Sequence, residues 1–172
     1  MRKVIVTNYQ EQWEEGFKKE TAKLEKVFKD ILISIHHIGS TAVKELKAKP
    51  IIDILPVVNA IDQVDSHNQK MYELGYTPLG EYGISGRRFF KKGVDQRTHH
   101  VHIYQAGNPH IDRHLAFRDY LRVHSQTAKE YGDKKEWLAI QYPYDIESYI
   151  KEKDMFVKQI EQQALKWYEG KQ

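Results

Sequence analysis

An aspartate in the middle of an apolar run constrains the fold of this chain more than any other feature. The run is PIIDILPVV at residues 50–58, and Asp53 is its single charged residue. Its β-branched composition predicts a largely buried strand. A buried carboxylate costs several kcal/mol unless a cation, a metal ion or strong hydrogen-bond donors compensate it. Such a partner is therefore expected beside Asp53.

A glycine–serine turn precedes this strand. The segment ILISIHHI at residues 31–38 predicts another strand, and STAVKEL after Gly39 predicts a short helix. Free backbone N–H groups and the Ser40 hydroxyl at a helix start can bind a phosphate, although ordinary helices also begin at a serine cap. The sequence has no GxxxxGK[ST] motif, so the turn is not a P-loop. Asp53 could hold Mg²⁺ against a phosphate at this turn, or it could form a structural ion pair with an arginine.

A later strand carries a pair of histidines. In RTHHVHIYQ at residues 97–105, alternation puts His100 and His102 on one face. Two imidazoles at this spacing can bind one metal ion, or can donate to a phosphate when protonated. The alternative is that one packs in the core and the other is solvated. A His-x-His-x-His hydrolase motif is excluded because Tyr104 occupies its third position. His37, just before the turn, is a further candidate for the same pocket.

The order of the predicted elements indicates the fold class. A helix begins near Asn8, the two strands follow, residues 60–74 have helical spacing, and three glycine-bounded strands lie within residues 75–105. From there to the C-terminus the pattern is helical. We therefore expect one α+β domain, with a mixed-sheet core at about residues 1–107 and a helical tail at about 108–172 packed on it.

The composition excludes several classes of protein. The net charge is +3, and the 27 basic and 24 acidic residues are interspersed, so no general nucleic-acid or membrane surface is expected. Without cysteine there is no disulfide framework and no thiolate metal site. No apolar run approaches the length of a membrane span, and the N-terminus lacks the apolar core of a signal peptide. A cytoplasmic protein is expected.

Three motifs connect the chain to a known family. HHIGSTAV…AKPIIDI, GRRFFKKG…RTHHVHIY and HLAFRDYLR together resemble the GrpB family over nearly the whole chain. That family is similar to the nucleotidyltransferase superfamily, whose pattern is Gly-Ser, a strand with Asp-x-Asp, and a third acid on a later strand. The resemblance implies that Gly39 and Ser40 form the phosphate turn and that Asp53 is the first metal-binding aspartate. It departs at Leu55, which stands where the second acid belongs.

Several basic residues could neutralise a phosphate. Lys153 interrupts the apolar stripe of the last helix, where it could snorkel outward or leave the stripe to reach a phosphate. The resemblance favours the phosphate. Arg118 and Lys135 fit the same role. Alternation turns one of Arg87 and Arg88 inward, and we expect it to be Arg88, because it precedes the aromatic pair.

These features predict a nucleotidyltransferase-like protein that acts on a nucleotide or another phosphorylated small molecule with Mg²⁺ or Mn²⁺. Ser40 and Asp53 are the predicted catalytic residues, and Asp53, His100 and His102 the predicted metal ligands. The residues predicted to bind phosphate or substrate are His37, Gly39, Ser40, Thr41, Arg88, Arg118, Lys135 and Lys153. One alternative is a non-catalytic nucleotide or phosphometabolite binder, which Leu55 favours. Another is a metal-dependent phosphohydrolase built on the two histidines.

Overall fold

The α+β fold contains a mixed five-stranded sheet in the computed structural model, which describes residues 2–171. The strands are β1 (Leu32–Ile38), β2 (Ile52–Val58), β3 (Tyr76–Pro78), β4 (Arg87–Lys92) and β5 (His99–Gln105). The helices are α1 (Gln12–Phe28), α2 (Asn68–Glu73), α3 (Pro109–Val123), α4 (Ser125–Gln141) and α5 (Ile146–Glu169). The spatial order is β1-β2-β5-β4-β3, with β2 and β5 parallel and the other neighbours antiparallel. The predicted α+β class with a mixed sheet is confirmed.

The chain divides into two compact units. The sheet unit contains residues 11–38 and 51–111, and therefore all five strands with α1 and α2. The helical unit contains α3 from Asp112 onward, α4, α5, residues 39–50 and the N-terminal residues as far as Gln10. The sequence suggested a division near residue 107. That division placed residues 39–50 and the N-terminal residues as far as Gln10 with the strands. They belong to the helical unit because their contacts are made there.

In the sheet unit, α1 lies directly on one face of the sheet. A Cβ atom at Gly16 would come within 2.8 Å of the Ile52 side chain, so glycine permits this close approach. Phe17 stacks on His37, whose register partner on β2 is Ile54. The α1 face of β2 therefore carries Ile52 and Ile54, and alternation turns Asp53 to the opposite face.

The helical unit has a core of its own. Its buried cluster consists of Val43, Leu46, Leu121, Ala128, Tyr131 and Ile160. Residues 39–50 reach α4 closely at Gly132, where an added Cβ would meet Leu46 at 3.3 Å. Within this segment the predicted STAVKEL helix is wrong, because only a single 3₁₀ turn forms at Ser40–Ala42. The turn ends because Val43 is extended and buries its side chain in the core cluster.

The helix predicted at residues 60–74 also differs from the one observed. Residues 60–74 form a 3₁₀ helix at Ile61–His67 that continues into the short helix α2. Across residues 2–171, no helix combines the length and the apolarity that crossing a membrane requires.

Candidate functional site

Asp53 meets two histidines on the face of the sheet opposite α1. His102 Nε2 lies 3.0 Å from Asp53 Oδ1, and His100 Nδ1 lies 3.5 Å from the same oxygen. One potential ligand atom from each residue falls within 4.8 Å of the other two. The three side chains are partly buried, with 26, 18 and 12% exposure for Asp53, His100 and His102. The structure brings these residues together as the sequence predicted, and their role stays a proposal.

Strand register explains this convergence. The parallel pairing of β2 and β5 puts Asp53 opposite His100, and alternation turns His102 to the same face two residues later. On the other side of β5, Phe89 of β4 pairs with His102. The Phe89 ring lies 5.2 and 5.1 Å from the rings of His100 and His102, measured between centroids. An aromatic wall therefore flanks both imidazoles.

The protonation states suit a metal ligand set. Burial raises the pKa of Asp53, but the hydrogen bonds from His100 and His102 outweigh it and hold that pKa well below its ordinary value. Burial lowers the pKa of His102, and the neighbouring carboxylate only partly opposes this. At neutral pH the site therefore presents an ionised Asp53 and a neutral His102, which are the forms that bind metal ions.

Two arginines contact the outer nitrogens of the histidines. Arg87 Nη1 lies 3.5 Å from His102 Nδ1, and Arg97 Nη1 lies 3.5 Å from His100 Nε2. A guanidinium only donates, so each imidazole accepts from its arginine and directs its own N–H at Asp53. The result is a hydrogen-bonded chain with Asp53 at its centre, a histidine on each side of it and an arginine at each end.

The donor set also fits a divalent ion. Two ligands of one ion, each bound at about 2.1 Å, lie about 3–3.5 Å apart, which matches both nitrogen–oxygen distances around Asp53. The ion would take the place of the protons that the imidazoles share with Asp53. His102 would then carry its proton on Nδ1, facing Arg87. Since a guanidinium only donates, Arg87 Nη1 would have to move away from His102 Nδ1, and Arg97 Nη1 likewise from His100 Nε2; both contacts are at the limit of a hydrogen bond.

Two predicted residues lie on the other face of the sheet. His37 pairs with Ile54 in register and stacks on Phe17 of α1, with ring centroids 4.7 Å apart. The expectation that it shares a pocket with Asp53 is therefore wrong. It failed because the strand register leaves His36, and not His37, on the face of Asp53.

Arg88, on β4, also lies on the face of the sheet opposite Asp53. It pairs with Ile103 in register, and its Nε donates to Asp65 at 2.9 Å. The inward arginine is Arg87, which is 7% exposed and lies on the histidine side of the sheet. The sequence offered the right pair, but alternation alone could not say which member faced inward.

In the helical unit, Ser40 and Lys135 are in direct contact. Lys135 Nζ donates to Ser40 Oγ at 2.8 Å and lies 4.3 Å from the centroid of the Tyr131 ring. Lys135 is 3% exposed, which is unusual for a lysine. Arg122 supports the same turn by donating twice to the Ala42 carbonyl, at 3.0 and 2.8 Å. A buried ammonium and a buttressed turn thus surround the Ser40 hydroxyl.

The remaining predicted residues of this unit have ordinary contacts. Thr41 is buried within the turn. Arg118 donates to Asp119 at 2.8 Å, so a carboxylate already balances its charge. Lys153 lies 5.8 Å from the centroid of the buried Tyr149 ring, and Lys49 lies 5.3 Å from the same ring. That these groups bind a phosphate, and that Ser40 and Asp53 act on one ligand, stay predictions from the sequence.

Comparison with known proteins identifies the family. The family model described as GrpB protein matches residues 3–163, and the chain belongs to the GrpB family. It is 50% identical over 170 residues to the UPF0157 protein YqkA of Bacillus subtilis, covering 99% of this chain but only 50% of that protein. It is 37% identical over 162 residues to the glutamate-rich protein GrpB of Alkalihalophilus pseudofirmus, covering 91% of this chain and 93% of that one.

Solved structures confirm the fold. The crystal structure of the conserved protein GrpB from Enterococcus faecalis matches with a TM-score of 0.93 and 48% identity, over 95% of this chain and 99% of that one. A structure of a cytoplasmic RNA terminal U-transferase matches with a TM-score of 0.50 and 12% identity, over 75% of this chain and 43% of that one. The second likeness is one of fold alone, and it agrees with the predicted nucleotidyltransferase-like core.

Proposed function

We propose that this protein is a metal-dependent enzyme that transfers a nucleotidyl group, and that its ligand is a nucleotide or another phosphorylated small molecule. The observation that carries the proposal is the partly buried Asp53–His100–His102 cluster on one face of a nucleotidyltransferase-like sheet. One carboxylate and two imidazoles suit Mn²⁺ better than Mg²⁺, because Mg²⁺ prefers oxygen ligands throughout.

The residues of the chain have separate tasks in this proposal. Asp53, His100 and His102 would hold the ion, which when bound supplies positive charge to a phosphoryl oxygen. Asp53 stays ionised and can also orient the acceptor hydroxyl by accepting its proton in a hydrogen bond. Lys135 places a buried ammonium at the Ser40 hydroxyl, and both groups can donate to phosphate oxygens.

A second candidate, a nucleotide or phosphometabolite binder without catalysis, is favoured by Leu55. It lies two residues after Asp53 on the same strand face and is fully buried. No second carboxylate is therefore available at that position to share the charge of two metal ions, which two-metal phosphoryl transfer requires.

The first test is Mn²⁺ binding by titration calorimetry. The variants His102→Gln and Asp53→Asn are expected to weaken binding at least about tenfold, because each removes a direct ligand. His99→Gln is the matched control, since His99 lies on the same strand but faces the other side. If wild type and both cluster variants bind Mn²⁺ equally, the cluster is not a metal site.

The second test separates the enzyme from the binder. The wild-type protein is incubated with each nucleoside triphosphate and with a nucleoside as the hydroxyl acceptor, with and without Mn²⁺, and pyrophosphate release is measured. Metal-dependent release that Asp53→Asn abolishes supports nucleotidyl transfer. Release of inorganic phosphate would favour the phosphohydrolase, and metal-independent binding without turnover would favour the second candidate.

A further inference from the structure

An exposed aromatic ring lies near the Asp53 cluster in an unusual backbone conformation. Tyr82, in the loop between β3 and β4, has φ +48°, which non-glycine residues rarely adopt. The residue is 53% exposed. Such conformations persist only where the surrounding structure enforces them, and they concentrate at ligand sites.

The loop is held in this conformation by several hydrogen bonds. Arg87 Nη2 donates to the Tyr82 carbonyl at 2.7 Å, and Arg87 Nε donates to the Glu81 carbonyl at 3.1 Å. The Glu81 carboxylate accepts from the Gly86 N–H at 2.5 Å. Phe89 N–H donates to the Gly80 carbonyl at 2.8 Å, which ties the loop to β4. The arginine that contacts His102 thus also positions Tyr82.

The Tyr82 ring has one covered face and one open face. It stacks on Phe89 with centroids 5.1 Å apart and an interplanar angle of 8°. Phe89 in turn lies 5.1 Å from the ring of His102. With more than half of its surface exposed, Tyr82 presents its outer face to solvent, one ring beyond the imidazoles.

We propose that the outer face of Tyr82 is a stacking platform for the base of a nucleotide whose phosphate binds at the Asp53–His100–His102 cluster. The inference deepens the proposed function and rests on it, since it selects nucleotides from among phosphorylated ligands. A nucleotide carries a flat aromatic group and a phosphate at its two ends, and every base has a π-face that can stack on tyrosine. Because the loop is already ordered, little conformational entropy is lost when the base binds.

The experiment compares ligands with and without a base. Binding of ATP, UTP and inorganic tripolyphosphate is measured with Mn²⁺ for wild type, Tyr82→Asn and Tyr82→Phe. Asparagine removes the ring but tolerates a positive φ, so the loop should keep its conformation, and thermal melts check that it does. Tyr72→Asn is the matched control, because Tyr72 is 56% exposed in the same unit but lies on α2.

We expect Tyr82→Asn to weaken both nucleotides about tenfold while leaving tripolyphosphate unchanged, with Tyr82→Phe and Tyr72→Asn close to wild type. A Tyr82→Trp variant gives a second readout, since stacking of a base should quench its added fluorescence. Equal nucleotide affinities for wild type and Tyr82→Asn would overturn the platform and leave the proposed function standing. If tripolyphosphate and nucleotides all fail to bind the wild type, the proposed function fails and the platform fails with it.

Discussion

Two acidic residues lie on opposite faces of the same sheet, and their partners differ. Glu20 on α1 is 4% exposed and accepts hydrogen bonds from Lys92 at 2.9 Å and from the Tyr76 hydroxyl at 2.8 Å. Asp53 on the other face meets the two imidazoles of His100 and His102. Both carboxylates are compensated, but only Glu20 has a direct lysine partner.

This difference in partners indicates which of the two carboxylates can bind a ligand. A lysine carries a full charge at neutral pH, so Glu20 and Lys92 neutralise each other and join α1 to β4. Burial raises the pKa of Glu20, and the bonds from Lys92 and Tyr76 lower it below its ordinary value. Burial keeps His102 neutral, so it stabilises Asp53 without cancelling its charge, and imidazoles are common ligands of metal ions. The ion pair of Glu20 and Lys92 therefore stabilises the fold, whereas the negative charge of Asp53 stays available to bind a cationic ligand.

The largest expected effect is on stability. Glu20→Gln should lower the free energy of unfolding by about 3 kcal/mol, because it leaves the Lys92 ammonium partly buried beside a neutral amide. Asp53→Asn should lower it less, by about 1–2 kcal/mol, because the asparagine carbonyl can still accept a hydrogen bond from His102 and no fixed ammonium depends on the carboxylate. Urea denaturation measures both. A loss of several kcal/mol for Asp53→Asn would make Asp53 a structural residue like Glu20.

The response to metal should be the reverse. At a Mn²⁺ concentration ten times the dissociation constant, the wild type should gain about 1.4 kcal/mol of stability. Glu20→Gln should show the same gain from its lower baseline, whereas Asp53→Asn should show none. Thermal melts with and without Mn²⁺ give both numbers. Loss of the gain in Glu20→Gln as well would mean that the ion stabilises the whole sheet unit rather than the cluster.

A third comparison concerns the lysines. Lys92 contacts a carboxylate, whereas Lys153 in the helical unit lies against the Tyr149 ring. Lys153→Met should leave the fold intact, and should weaken pyrophosphate binding by about 1 kcal/mol if the ammonium contacts the phosphate. Melts with and without pyrophosphate test this. A ligand-induced shift equal to that of the wild type, together with a gain in stability, would assign Lys153 to packing alone.

The sequence was sufficient to predict the cluster but not the full site. Alternation along one strand puts His100 and His102 on the same face, whereas their place beside Asp53 was implied by the resemblance to the nucleotidyltransferase superfamily. His37 and Arg88 depended on antiparallel register, where a shift of one residue moves every side chain to the other face. Each position belongs to a pair of identical residues, His36-His37 and Arg87-Arg88, so the residue pattern did not show which member faces Asp53. Tyr82 could not be found at all, because its position depends on a loop conformation that Arg87 maintains from outside the loop.

The smallest expected effect is in the dependence on pH, and it separates the two faces once more. Burial lowers the pKa of both His99, near Glu20, and His102, beside Asp53. A histidine with a lowered pKa binds its proton more readily in the unfolded chain, so each destabilises the protein as pH falls below the ordinary value of 6.5. His99→Gln should therefore reduce the loss of stability between pH 7 and pH 5, without changing stability at pH 8.

The fall in Mn²⁺ affinity over the same range should persist in His99→Gln, because protons compete with the ion at His102 and not at His99. Denaturation and calorimetry at matched pH values measure the two effects, and a His99→Gln variant with pH-independent Mn²⁺ binding would show that the cluster on Asp53 is not the metal site.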